Sequence, residues 1–272
     1  MTQNSQSCED YNKRLEEIMV ELKRVRRDAP WAWLKAGWAD LVRAPRVALS
    51  YGLIFVGAGG LISLALHLLN MSAVVPVFLS GFALIGPALA TGIYQVSRAF
   101  ERGEKPRFRV IISRFPSRIS QIGFLSILLA LLLMLWVRAA QFLLVAIAPD
   151  SPLTPDAFAE FAISDTTGLT LIVVGTLIGG FLAAVAFAMS ALSFPMLIDQ
   201  DVDAVTAMVA SFKAVFAQPF VMLTWAWLIA FMVVAGSVVF LIGLAVTFPW
   251  IALATWHAYR DFAPTPSASA PA

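Results

Sequence analysis

The sequence is poor in charge, cysteine and histidine, and each shortage excludes a class of protein. Only 13% of its 272 residues are charged, about half the share in an average soluble domain. The single cysteine, Cys8, allows neither an internal disulfide nor a thiolate cluster for zinc or iron–sulfur ligation. The two histidines, His67 and His257, are too few for most haem and transition-metal sites. We therefore expect no cofactor and no metal.

Apolar residues are abundant instead. They make up 60% of the chain, and the mean hydropathy is +0.81. A water-soluble globule could not bury so much apolar surface, and disordered chains are poor in apolar residues. The composition predicts an all-α, polytopic transmembrane helix bundle. Since no nucleophile–base pair, P-loop, GxGxxG or CxxC motif appears, we expect a protein that is not an enzyme.

Long apolar runs predict about six membrane spans. A helix needs about 20 residues to cross about 30 Å of hydrocarbon. A straight helix over the apolar region 219–259 would be about twice as long as the hydrocarbon layer is thick. It predicts two spans with a tight turn near Gly236, and the alternative is one span followed by a bent interfacial helix after Pro249. The predicted spans are 47–69, 76–98, 120–147, 168–197, 219–236 and 238–259.

An internal repeat supports this arrangement of three hairpins. Each unit has an amphipathic segment ending in proline, a first span, and a second span with a proline before its polar end. In units one and three an aromatic residue follows the second proline by seven positions and an arginine by eleven. The first prolines are Pro45, Pro116 and Pro219, the second are Pro87, Pro195 and Pro249, and the repeated pairs are Tyr94 with Arg98 and Trp256 with Arg260.

The second prolines each free a backbone carbonyl and kink a helix. Broken helices can build the sites of transporters. No polar residues cluster at Pro87, Pro195 or Pro249, which weakens that interpretation.

The polar segments flank a membrane domain at 30–262. Residues 9–28 of the polar tail 1–29 predict an amphipathic helix, and residues 263–272 predict a disordered tail rich in Pro, Ser and Ala. In residues 30–44, which Asp28 can cap, Trp31, Leu34, Trp38 and Leu41 share one predicted face. This helix is expected to lie among the lipid headgroups, to pack on the cytoplasmic ends of the spans, or both.

Basic residues set the predicted orientation. Nine Lys and Arg precede the first span from Lys13 to Arg46, and seven lie in 98–118, whereas 148–167 has four acidic residues and no basic one. Both termini and the basic loop are therefore predicted to be cytoplasmic. The basic loop suits anionic lipid headgroups, and nucleic acid is a poor alternative.

Arg138 is the only charged residue well inside an apolar run, and such residues are functional candidates. Counted from Ser120, it lies about 27 Å along the helix, near the outer interface. There it can snorkel beside Gln141 and Trp136 or pair with the acidic loop 148–167, which is predicted to lie outside. A ligand-binding role is the alternative.

His257 lies among Trp250, Trp256 and Tyr259, which predict an aromatic belt at the cytoplasmic surface. A lone interfacial histidine is usually a packed or hydrated belt residue, although its proton is available at physiological pH.

Two further patterns have structural interpretations. Gly175 and Gly179 form a GxxxG pattern that predicts close helix packing, within the bundle or between two copies. The run DQDVDA lacks the glycine and glutamate of a calcium loop, so Asp201 or Asp203 is expected to cap a helix at 204–216.

A family resemblance is carried by PWAWLKAGWADLVRAPRVALSYG, GFALIGPALATGIYQVSRAFERGEKP, WVRAA, FPMLIDQDVDA and ATWHAYRD. In these stretches, across about residues 28–262, the chain resembles the bacterial domain-of-unknown-function family 2189 (DUF2189). The resemblance implies a multi-pass protein of the bacterial inner membrane with no established activity.

The leading functional hypothesis is a non-enzymatic scaffold, or a regulatory or assembly factor, for other membrane components. Its expected partners are the lipid bilayer and either another membrane protein or a second copy of the chain. The alternative is a small transporter or lipid-handling protein, suggested by the three proline-broken hairpins.

Overall fold

The computed structural model describes residues 24–69, 85–106, 119–149, 155–238 and 242–263. Within these ranges the chain is helical and no strand occurs. Most of the predicted helix at 9–28, the basic segment 107–118 with Pro116, and the tail after Ala263 lie outside the described residues. The helices are α1 (Ala29–Arg43), α2 (Pro45–Leu68), α3 (Thr91–Glu101), α4 (Ile119–Ile147), α5 (Pro155–Ser164), α6 (Thr166–Ser190), α7 (Ser193–Asp199), α8 (Ala204–Ala217), α9 (Pro219–Val238) and α10 (Leu244–Phe262).

Four helical stretches are long and apolar enough to cross a membrane. They are α2, α4, the combined stretch Thr166–Asp199 of α6 and α7, and Pro219–Ser237 of α9. These coincide with the predicted spans 47–69, 120–147, 168–197 and 219–236. The all-helical membrane fold is therefore confirmed, with four candidate spans in the described part of the chain.

The other two predicted spans have a different character. Of the span at 76–98, the described part consists of a helical turn at 85–89, a turn at Ala90 and the amphipathic α3. The span at 238–259 corresponds to α10, which is not among the four candidates. Helices α9 and α10 nevertheless form an antiparallel pair, because Gly236 lies beside Gly243 while Trp225 and Phe262 both contact the Trp33 ring.

Helix α10 occupies the centre of the bundle. It packs against α1, α2, α3, α7 and α9, and the stretch from Ile251 to Trp256 is buried throughout. Two glycines let neighbouring helices approach it closely. A Cβ on Gly37 of α1 would lie 2.5 Å from the Ala254 nitrogen, and one on Gly52 of α2 would collide with the Ala245 carbonyl. Because Pro249 has no N–H, that carbonyl has lost its usual partner in the helix.

The first and third repeat units share a junction geometry. Pro45 and Pro219 are the first residues of α2 and α9, where proline is favoured. The residue before each has nearly the same backbone angles: φ −131° and ψ 54° at Ala44, and φ −134° and ψ 62° at Gln218. A residue before proline is pushed out of the α region, so each amphipathic helix ends there and a span begins.

Helix α1 presents a different face from the predicted one. Leu34 and Leu41 are buried together with Trp33, whereas Trp31 and Trp38 are exposed, so the four residues Trp31, Leu34, Trp38 and Leu41 do not share an environment. The reason is the close crossing at Gly37, which turns Trp33 and Gly37 towards α10.

The predicted helix caps had different outcomes. Asp28 precedes α1 but makes no side-chain cap, because its backbone is helical (φ −87°, ψ −3°) instead of extended as in an N-cap; its carboxylate pairs with Arg26 at 3.4 Å. Asp203 does cap α8, because its Oδ1 accepts the Thr206 amide N–H at 2.7 Å. The Asp203 prediction is therefore confirmed.

Candidate functional site

Helices α3, α7 and α10, which follow or contain the second prolines of the predicted repeat, meet at one end of the bundle, where each contacts the other two. Each contributes charge: Arg98 and Glu101 from α3, Asp199 from α7 and Arg260 from α10. We call these four residues the inter-unit ion cluster. The two arginines occupy equivalent positions, eleven residues after Pro87 and Pro249.

The ion cluster is held by paired charges. Arg260 donates from Nη1 to Asp199 Oδ2 at 2.9 Å, and its Nε lies 3.2 Å from Glu101 Oε1. Arg98 Nε lies 3.7 Å from the other Asp199 oxygen. Two arginines thus face two carboxylates. Asp199, on α7, lies between the two arginines, which come from α3 and α10.

Burial makes these charges dependent on one another. The side chain of Asp199 is 19% exposed and that of Arg98 is 21% exposed. Arg98 lies outside the four candidate spans, and burial lowers the pKa of its guanidinium, as does the neighbouring Arg102, while Asp199 raises it. Charges removed from water in this way are stable only with a partner.

Aromatic side chains complete the ion cluster. The Trp256 indole donates to Glu101 Oε1 at 2.9 Å, and the Tyr259 hydroxyl donates to Asp199 Oδ2 at 2.9 Å. Both rings are fully buried. The predicted aromatic belt is therefore wrong for Trp256 and Tyr259, because protein carboxylates bind the polar atoms that a belt residue would present to water and headgroups.

A second polar group lies between α1, α3 and α10. Asp40 Oδ2 accepts the Ser97 hydroxyl at 2.6 Å and lies 2.9 Å from His257 Nε2. Asp40 and Ser97 are buried, whereas His257 keeps 28% of its side chain exposed. In a nucleophile–base arrangement the histidine would stand between the serine and the carboxylate. Here the carboxylate stands between them, so the group holds three helices together rather than activating Ser97.

Arg138 and Gln141 lie together on α4, as the sequence suggested. The Arg138 Nη1 donates to Gln141 Oε1 at 3.2 Å, and both side chains are exposed. The proposed pairing of Arg138 with the acidic loop stays a prediction, because Asp150 and the Asp156 side chain lie outside the described structure. His257 belongs to a different helix and binds Asp40.

The remaining predicted residues take several positions. Pro249 lies inside α10, Pro195 is in the first turn of α7 after a break at 191–192, and Pro87 precedes the turn at Ala90. Gly179 packs on Trp136 of α4, since an added Cβ would lie 2.8 Å from that ring, whereas Gly175 faces open space.

Comparison with known proteins gives one family-model match, over part of the chain. Residues 74–199 match the model of the family described as predicted integral membrane protein (DUF2189). The chain is a membrane protein with several apolar helices. The resemblance to DUF2189 is confirmed over 74–199, a shorter range than the 28–262 over which it was recognised. Curated proteins and solved structures give no match.

Sequence reasoning missed the roles of Asp40, Ser97 and Asp199. The signal for Asp199 was present, because the repeat already placed Arg98 and Arg260 at equivalent positions without naming a partner. The signal for Asp40 was weaker. Asp40 follows the buried Trp33 by seven residues, or two helical turns, so the two lie on the same face of α1. Trp31 and Trp38, however, predicted that a different face of the helix would be in contact with its surroundings.

Proposed function

We propose that the protein is a non-enzymatic scaffold of the bacterial inner membrane that holds other membrane components at its cytoplasmic side. In this proposal the three repeat units form six spans, both termini are cytoplasmic, and the inter-unit ion cluster lies at the cytoplasmic surface.

The contacts of the described helices support hairpins in units one and three. Helix α2 starts beside α1, and α3 also contacts α1, so α3 and the start of α2 lie at the same end of the bundle. In unit three, Trp33 of α1 contacts both Trp225 near the start of α9 and Phe262 at the end of α10. Each of these hairpins therefore begins and ends at the end that carries the ion cluster.

The observation that carries the scaffold role is the mutual pairing of the three units through the ion cluster. Paired, partly buried charges join α3, α7 and α10, and Asp40 joins α1 to α3 and α10. This end of the bundle presents an outer stripe on α1 at i, i+4, i+7 and i+11, consisting of Trp31, Lys35, Trp38 and Val42, and all four are exposed. Exposed tryptophans beside a cation are typical of a surface that contacts a partner protein or lipid headgroups.

Site-specific photo-crosslinking tests the scaffold role. A benzophenone amino acid replaces Trp31 or Val42, and the matched control replaces Met134, a 65% exposed residue on α4. We expect irradiated native membranes to link both stripe positions to the same protein and Met134 to lipid alone. A product of twice the chain mass would identify a second copy as the partner. Links to lipid alone from both stripe positions would contradict the proposal.

Cysteine labelling tests the topology. In a Cys8→Ser background, single cysteines are placed at Lys35, at Glu160 on α5 and at Ile242 in the turn between α9 and α10. An impermeant maleimide applied from the periplasmic side should label positions 160 and 242 but not 35. Protection of position 242 would show that the α9–α10 hairpin does not reach the outer surface. Labelling of position 35 would reverse the orientation.

A further inference from the structure

A basic cavity lies where α1 passes into α2. Its volume is about 660 Å³, and the chain just after α3 forms its other wall. That volume lies within the range of small-molecule sites. Three cations line it, Arg43, Arg46 and Lys105, against one carboxylate, Glu104.

The chain around the cavity is held in place on both sides. Arg43 lies over the Phe100 ring, with its guanidinium carbon 4.1 Å from the ring centroid. Gly103 ends α3 with φ of 69°, and the Glu104 N–H bonds the Ala99 carbonyl at 2.9 Å. This Schellman-type end turns the chain back sharply, so Lys105 comes to face the α1–α2 junction.

The cavity lies at the expected depth of lipid headgroups. Pro45, which lines it, is the first residue of the 24-residue candidate span α2. Such a helix is about 36 Å long, slightly more than the hydrocarbon thickness. Its first residues therefore lie at the membrane boundary, where phospholipid phosphates are found.

We propose that this cavity binds the phosphate of an anionic phospholipid headgroup, with Arg46 and Lys105 as its principal ligands. Arginine and lysine both bind phosphate oxygens, arginine with a planar fork and lysine as a point charge. Arg43 is the third cation, and part of its charge is balanced by Asp40 Oδ1 at 3.9 Å. This inference is independent of the scaffold role, since lipid binding requires no protein partner.

Native mass spectrometry of the delipidated full-length protein tests the site. The probes are phosphatidylglycerol, zwitterionic phosphatidylcholine and soluble glycerol 3-phosphate. The test variant is Arg46→Gln with Lys105→Gln. The matched control is Arg26→Gln with Lys213→Gln, which removes the same charge from positions outside the cavity.

We expect phosphatidylglycerol to bind in preference to phosphatidylcholine, and the test variant to lose about thirtyfold in phosphatidylglycerol affinity. Each basic residue near the membrane surface contributes about 1 kcal/mol of binding free energy, and about 1.4 kcal/mol corresponds to a tenfold change in affinity. The control should lose less than about threefold. If the double variant does not remain monodisperse, Arg46→Gln and Lys105→Gln are measured singly, each with an expected loss of about fivefold.

Three results would overturn the proposal. Equal losses in the test and control variants would mean that binding follows net charge and not the cavity. Equal affinity for the two lipids would remove the requirement for a net anionic headgroup. Glycerol 3-phosphate binding as tightly as phosphatidylglycerol would assign the cavity to a soluble phosphate compound instead of a lipid.

Discussion

Helices α9 and α10 are neighbours in the chain and nearly equal in length, yet they occupy opposite environments. Helix α9 has 20 residues and α10 has 19. Large apolar side chains of α9 are exposed, as expected for a helix facing lipid, whereas α10 is surrounded by five other helices. The exposed large apolar residues of α9 are Phe220, Leu223, Trp227, Phe231 and Val234.

The difference shows that hydropathy readily identifies helices that face lipid, such as α9, but fails to identify α10, which lies inside the bundle. A central helix can carry polar groups if its neighbours bind them. The Trp250 indole, for example, donates to the Leu34 carbonyl at 2.8 Å, and Arg260 pairs with Asp199 and Glu101. Lipid can offer no such partners, so α9 remains almost purely apolar.

The sharpest test of this comparison removes the shared carboxylate of the ion cluster. Asp199→Ala leaves Arg98 and Arg260 without it, and breaking a buried ion pair costs about 3–5 kcal/mol. We expect a loss of about 3 kcal/mol, because Arg260 is one-third exposed and Glu101 still binds it. The thermal midpoint in detergent should fall by about 6–12 °C, at about 2–4 °C per kcal/mol.

Asp28→Ala is the control for Asp199→Ala. It also breaks a carboxylate–arginine pair, but both side chains are largely exposed, so the midpoint should move by less than about 2 °C. Equal shifts in the two variants would mean that the ion cluster contributes no more to stability than an exposed ion pair does.

The second test changes the close crossing of α1 and α10. Gly37→Ala places a Cβ against the backbone of Ala254, and overpacking of this kind costs about 1–3 kcal/mol. Gly57→Ala on α2 is the matched control, because no atom of another described helix lies within 4 Å of the added methyl. Alanine is also the better helix former, so Gly57→Ala should leave stability unchanged or raise it. A rise for both variants would contradict the close packing of α1 on α10.

Much of the fold followed from the sequence, and the part that did not has a physical reason. The four candidate spans were found because a helix that faces lipid must be apolar all round. The Asp203 cap was found because capping depends on residues three apart. The partners Asp40, Ser97 and His257 were missed, since they come from three helices far apart in the chain and only the tertiary fold brings them together.

The third test concerns a local interaction, where sequence reasoning succeeds. Asp203 binds Thr206 twice, at 2.7 Å through the amide and at 2.8 Å through the hydroxyl. Loss of such a cap costs about 1 kcal/mol, so Asp203→Ala should lower the midpoint by about 2–4 °C. Asp203→Asn, which retains an accepting oxygen, should keep most of the stability. A larger loss in the asparagine variant than in the alanine variant would contradict the capping role.

The smallest effect is expected at Arg138, the charge that stands out most in the sequence. Its side chain is exposed on α4 and bonds only to Gln141 among the described residues, so removing it leaves no buried charge unpaired. Arg138→Leu should change the free energy of unfolding by less than about 0.5 kcal/mol, a shift within about 2 °C. The same measurement on Arg260→Leu should give a clear loss, because Glu101 would then lose its cation and Asp199 would keep only Arg98. If Arg138→Leu were the more damaging of the two, Arg138 would have a role within the membrane that its exposed position does not explain, and the contrast between the polar centre and the lipid-facing helices would fail.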